Sequence, residues 1–225
     1  MRQAPGQLLR QPVRARGARL PAPRAPLLVF WDLCGVALRA HAVAPRDGFV
    51  AAENAAAAVY AHERTHVWCL TQPAYGPGEG QYRERGWCLL ERQLACLLTG
   101  SGCDGHLLDL GGVDGAAVSA ARSFDRDVRG RCEWWLPPLS PAAFRAELAR
   151  CAFSEPRDAQ LVAELYERHA VALLESAELL SFACLGWADE QAAKLADVLP
   201  LATSLRALSL AGNARLTDAS LRPLL

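Results

Sequence analysis

Tyr82-Arg83-Glu84-Arg85-Gly86-Trp87-Cys88-Leu89-Leu90-Glu91 reads as a Gly-marked loop turning into an apolar helix over residues 87–98. With Trp87 as the zero of a wheel at 3.6 residues per turn, Cys88, Leu90, Leu94, Ala95, Leu97 and Leu98 share one broad face. Arg92, Gln93 and Cys96 fall on the other. Glu91 lands inside the apolar stripe, between Trp87 and Leu98. A carboxylate is almost never buried without a partner, so this position calls for a partner or a chemical task.

Upstream of this helix, Val67-Trp68-Cys69-Leu70 is a short apolar run of strand length, closed by the Gly/Pro loop at 72–80. Before it, an Ala-rich helix is expected over 47–64, with Asp47 as its cap. Leu27-Leu28-Val29-Phe30-Trp31, bounded by Pro26 and Asp32, reads as a strand buried on both faces. Downstream, His106 to Leu110 reads as a third strand. Strands alternating with helices predict a parallel α/β sheet over 27–112. Ligands of such sheets sit beyond the carboxyl ends of the strands, which brings Asp32 and the Trp87 helix start toward one edge. Asp32 and Trp87 are therefore the candidate cofactor-contacting residues.

A helical spacer follows over 113–179. It includes the Trp134-Trp135 pair, read as packing of a junction, a helix start at Ser140-Pro141, and a long helix at 158–176. From residue 180 the period changes. Leu205-x-x-Leu208-x-Leu210-x-x-Asn213-x-x-Leu216 matches the leucine-rich repeat, whose strand lines a horseshoe and whose Asn holds the turn. A weaker copy lies 28–29 residues earlier: Leu180-x-Phe182-x-Cys184, then Trp187 and Asp189, with Cys184 read at the Asn position. The helix of that repeat is expected between Asp189 and Leu199. Repeats of this kind need neighbours to cover their apolar faces. Leu221, Leu224 and Leu225 therefore predict further repeats in a longer product, or self-association through the open end.

The net charge is zero, which argues against a nucleic-acid protein working through a basic face and against a polybasic membrane anchor. Only Lys194 among the 24 basic residues is a lysine and isoleucine is absent, so GC-rich codons account for much of the arginine. No apolar run reaches membrane-spanning length. Eight irregularly spaced cysteines without a C-x-x-C pair read as reduced thiols, which predicts a cytoplasmic chain. Residues 1–26, with six arginines, five prolines and no acid, read as a disordered leader.

The combination of Phe30 and Asp32, Tyr60-Ala61-His62, Val67 to Thr71 and Tyr82 to Glu91 resembles leucine-rich-repeat proteins of algae and other protists. In those, a short α/β module precedes a helical spacer and ribonuclease-inhibitor-type repeats. The spacer likeness rests on Phe153, Leu165-Tyr166, Leu185-Gly186-Trp187 and Asp189. The α/β part is also similar to a Toll/interleukin-1 receptor (TIR) domain, a flavodoxin-like parallel-sheet fold. Trp87-Cys88-Leu89-Leu90-Glu91 falls on its W-C-L-x-E motif, which implies that Glu91 occupies the place of the glutamate used by NAD-cleaving members.

The leading expectation is a non-enzymatic signalling or scaffold protein. It binds a protein partner through the repeat face and needs no cofactor. The alternative is an NAD glycohydrolase in which Glu91 steadies the oxocarbenium-like ribose as nicotinamide leaves. A third reading takes His62-Glu63-Arg64-Thr65-His66 as H-E-x-x-H, two imidazoles on one helical face for zinc with Glu63 as general base. Arg64 inside the motif and a strand starting at Val67 argue against it, and no metal site is expected.

Overall fold

A computed structural model of the chain describes residues 46–62, 65, 67–69, 71, 82–97, 107–109 and 136–224. All of them lie in the larger of its two compact units, 34–225. The Arg/Pro-rich leader, the expected strand at 27–31 with Asp32, Leu98 and the Trp134-Trp135 pair lie outside the described residues. The architecture is mixed α/β and mostly helical, with small parallel two-stranded sheets.

Helix α1 spans Arg46–Tyr60, so Asp47 is its second residue rather than its cap. It stops four residues short of the expected end. Residues 62–66 are all polar and offer no hydrocarbon side chain to hold another turn on the core, and the chain closes through turns from His62 N–H to Val59 C=O and from Thr65 N–H to His62 C=O. Strand β1, Val67–Cys69, then pairs in parallel with β2, Leu107–Asp109, with Trp68 opposite Leu108.

A 3-10 turn at Tyr82–Glu84 leads into α2, Gly86–Leu97. The expected division of α2 into an apolar and a polar face does not hold. Gln93 is 2% exposed and Cys96 0%. The reason is that α2 is enclosed on opposite sides: Ala95 and Cys96 pack with Val67 and Cys69 of β1, while Leu90, Leu94 and Leu97 join the main core. A helix enclosed this way shows no simple amphipathic stripe.

Helix α3, Pro141–Leu148, starts where Ser140-Pro141 predicts, with Ser140 Oγ accepting from Ala143 N–H at 3.3 Å. Helix α4, Asp158–Ser176, is the long helix of the spacer. Its Leu161, Val162, Leu165, Ala170 and Leu174 recur at helical spacing and are all buried. Tyr166 on this helix stacks on Phe144 at 3.8 Å, donates to Leu139 C=O at 2.7 Å and accepts from Leu139 N–H at 3.1 Å. One phenol thus serves both backbone groups of a buried residue. Tyr166→Phe is expected to cost about 1–3 kcal/mol in chemical denaturation, the range for stranding buried backbone groups.

Strand β3, Leu179–Ser181, pairs in parallel with β4, Ala207–Ser209, and Leu180 lies opposite Leu208. Between them run α5, Asp189–Ala196, and a 3-10 turn at Leu199–Leu201; α6, Asp218–Leu221, and a further 3-10 turn follow β4. The strands are offset by 28 residues and the helix starts by 29, as the sequence spacing predicts. The Cys184 assignment is corrected. Cys184 N–H donates to Ala211 C=O, which sets Cys184 against Gly212 and Leu185 against Asn213. Both Cys184 and Gly212 have positive φ, 59° and 75°. A Cβ on Gly212 would come within 2.5 Å of Cys184 Sγ, so the close approach requires glycine here.

One apolar cluster runs without interruption from Ala57 and Leu94, through α4, to Phe182, Trp187 and Leu195. Phe182 and Trp187 stack at 4.8 Å.

Candidate functional site

Gly86 admits α2 to its position. Its N–H donates to Ala152 C=O at 3.1 Å, Ala152 N–H returns to Glu84 C=O at 2.6 Å, and the Phe153 ring lies where a Cβ would project. One residue on, Trp87 is half-buried. Its indole N–H donates to Asp158 Oδ2 at 3.4 Å, and Phe49 meets it edge-on at 6.1 Å and 81°. Asp158, at the start of α4, is 5% exposed. The indole is therefore positioned by two other elements, α1 and α4.

Glu91 sits one turn beyond Trp87 and is 9% exposed. The Tyr82 phenol donates to Cys69 Sγ at 3.4 Å. Burial, followed by the neighbouring Cys69, Glu91 and Cys88, pushes Tyr82 far above its ordinary pKa. It therefore remains a neutral donor at any physiological pH. Cys96, held in the same cluster, is pushed up to about 12, chiefly by burial. This environment suppresses thiolate formation at Cys96. The arrangement can supply a buried carboxylate beside a fixed indole.

The structure thus brings Trp87 and Glu91 together on α2, while Asp32 lies outside the described residues. Asp158 escaped the sequence reading because an acid in the first turn of a helix looks like an ordinary dipole partner. The zinc reading loses its scaffold. It needs His62 and His66 on one helix, whereas α1 ends at Tyr60 and β1 begins at Val67. Among the described residues no group of three His, Cys, Asp or Glu side chains could hold a metal ion.

The second surface of interest is the β3–β4 pair. Asn213 is 7% exposed and uses its full hydrogen-bonding capacity. Nδ2 donates to Phe182 C=O at 2.7 Å and Leu210 C=O at 2.8 Å; Oδ1 accepts from Leu185 N–H at 2.9 Å and Trp187 N–H at 3.0 Å. Asp189 makes a second tie across the same offset, accepting from Thr217 N–H and Oγ at 2.8 and 2.7 Å. These bonds hold the Asp189 carboxyl below its ordinary pKa. On the strand face Leu179 is 55% exposed and Ala207 is exposed.

No protein-family model, curated protein or solved structure matches this chain. Its chemistry is accordingly read from its own residues. Among the described residues no helix is long and apolar enough to cross a membrane. Cys69, Cys88, Cys96, Cys151 and Cys184 are free thiols.

Proposed function

We propose that the chain is a non-enzymatic signalling or scaffold protein of the cytoplasm. A TIR-like α/β module is carried by a helical spacer on ribonuclease-inhibitor-type leucine-rich repeats, and the strand face of those repeats binds a protein partner. The observation that carries this reading is the Asn213 network, which joins two segments of the same pattern at a 28-residue offset. It serves the turn as the repeat's asparagine does. The face so formed presents exposed Leu179 and Ala207 with no charged side chain on β3 or β4 themselves. A partner would meet it with apolar rather than ionic contacts.

The test is partner recovery by the intact chain and by the Leu179→Glu/Ala207→Glu variant. Both positions are exposed, so folding is expected to survive. Recovery should fall at least tenfold in the variant. Equal recovery would remove this face from the account.

A second reading is favoured by the fixed Trp87 indole one turn from Glu91: cleavage of NAD, with Glu91 steadying the ribose cation. It predicts nicotinamide release from NAD by the purified protein. Glu91→Ala should abolish that release without unfolding the domain, as its circular dichroism spectrum would show. Absence of nicotinamide at high protein concentration, both in solution and with the protein crowded on a surface, counts against it.

A further inference from the structure

We infer that Asn54, Arg168 and His169 form a proton-sensitive latch that docks α1 on α4 and releases it when His169 takes up a proton. Arg168 Nη1 donates to Asn54 Oδ1 at 2.8 Å, and His169 Nε2 meets the same oxygen at 3.2 Å. An amide oxygen only accepts, so in the neutral ring the hydrogen is on Nε2. A proton added at Nδ1 then sets two cations on one neutral acceptor. The bond lengths hold the two nitrogens within about 6 Å, where two unit charges repel enough to shift an equilibrium about threefold even in bulk water.

No carboxylate answers these two cations. Among the described residues Glu167 is paired with Arg145 of α3, Glu164 accepts from Gln160, and Glu91 of α2 stands beside Tyr82. From α1 the group that faces them is the uncharged Asn54. Among the same residues Glu53, next to it in sequence, forms an ion pair with neither. Burial, and then the Arg168 charge, hold the imidazole below its ordinary pKa. The docked state thus favours the neutral ring. Its contribution is complete above about pH 6.5 and is lost as the pH falls below that value.

Such a change matters because α1 is docked by little hydrocarbon. Among its described side chains Ala57 is the one that is buried, while Phe49, Val50 and Tyr60 are half-buried. Elements with few buried apolar contacts open first. Release would withdraw Phe49 from the Trp87 indole. The latch depends on neither the repeat face nor the Glu91 chemistry.

Hydrogen exchange on the intact chain, corrected for the intrinsic pH dependence of exchange, tests the latch from about pH 7.5 to about pH 5, where histidine changes charge. Measured against the amides of α4, those of α1 should lose at least about threefold in protection on acidification. His169→Gln keeps a donor for Asn54 without a titrating group, so its α1 should stay equally protected across the range. Asn54→Asp supplies the missing countercharge and should remove or reverse the acid loss. The His169 ring resonances give a second readout. Their titration midpoint should lie below the ordinary imidazole value in the unmodified protein and above it in Asn54→Asp. Constant protection of α1 in the unmodified protein, an equal acid loss in His169→Gln, or an unmoved midpoint in Asn54→Asp would each overturn the proposal.

Discussion

Asn213→Ala is expected to lower the unfolding free energy by about 3–5 kcal/mol, the largest effect of a single polar change here. Truncation leaves four backbone groups without their partner: the C=O of Phe182 and Leu210, and the N–H of Leu185 and Trp187. A buried backbone group stripped of its bond costs about 1–3 kcal/mol. Water can reach those near the surface, so the sum falls short of four full penalties. Asn213→Asp separates geometry from hydrogen bonding. It keeps the accepting oxygen for Leu185 and Trp187 but turns an oxygen toward the two carbonyls. It should therefore be at least as destabilising as alanine. Urea titration of the three proteins decides this. Near-native stability of Asn213→Asp would mean that the turn is held by the strand pairing alone.

Gly86→Ala comes next, at about 2–3 kcal/mol, the upper part of the range for forcing a methyl group into filled space. Its Cβ would overlap the Phe153 ring. The ring is half-buried and can swing outward, but then it abandons its packing against the core. Phe153→Ala alone should cost about 1–3 kcal/mol for the lost burial of a partly exposed ring. In the double variant the overlap is gone, so its cost should be smaller than the sum of the two by at least 1 kcal/mol. Additive costs in the denaturation cycle would show that Gly86 is required for some other reason.

These two sites also mark what could be read from the residues. The 28-residue spacing from Leu180 to Leu208 was legible, because the same apolar spacing recurs in the sequence and the strand register preserves it. Ser140-Pro141 and the helix at 158–176 were legible for local reasons, capping chemistry and periodicity. Cys184 invites the wrong assignment because cysteine can stand at the Asn position of such a turn and lies one residue from the place opposite Asn213. The positive φ at Cys184 and Gly212 shows the backbone turning one position earlier. Gln93 and Cys96 were misassigned to a solvent face because the wheel treats a helix as having one buried side. Burial by β1 on one side and α4 on the other depends on contacts distant in sequence. For the same reason neither Asp158 behind Trp87 nor Phe153 over Gly86 could be located in advance. Both contacts join segments separated by more than sixty residues.

The 28-residue offset also carries a rule about how a gene of this kind can change length. On the proposed repeat reading, each 28-residue unit added or removed would return an Asn to the preceding turn and an alternating strand to the ladder. A single-residue insertion in β4 would instead rotate Leu208 and Leu210 to the opposite face and detach Asn213 from Leu185 and Trp187. Natural variants should accordingly differ by multiples of one unit within this region. Scattered one-residue insertions and deletions should likewise be disfavoured between each strand and the helix after it, where the Asn213 and Asp189 bonds and the Ala188–Arg215 bridge measure distance along the chain.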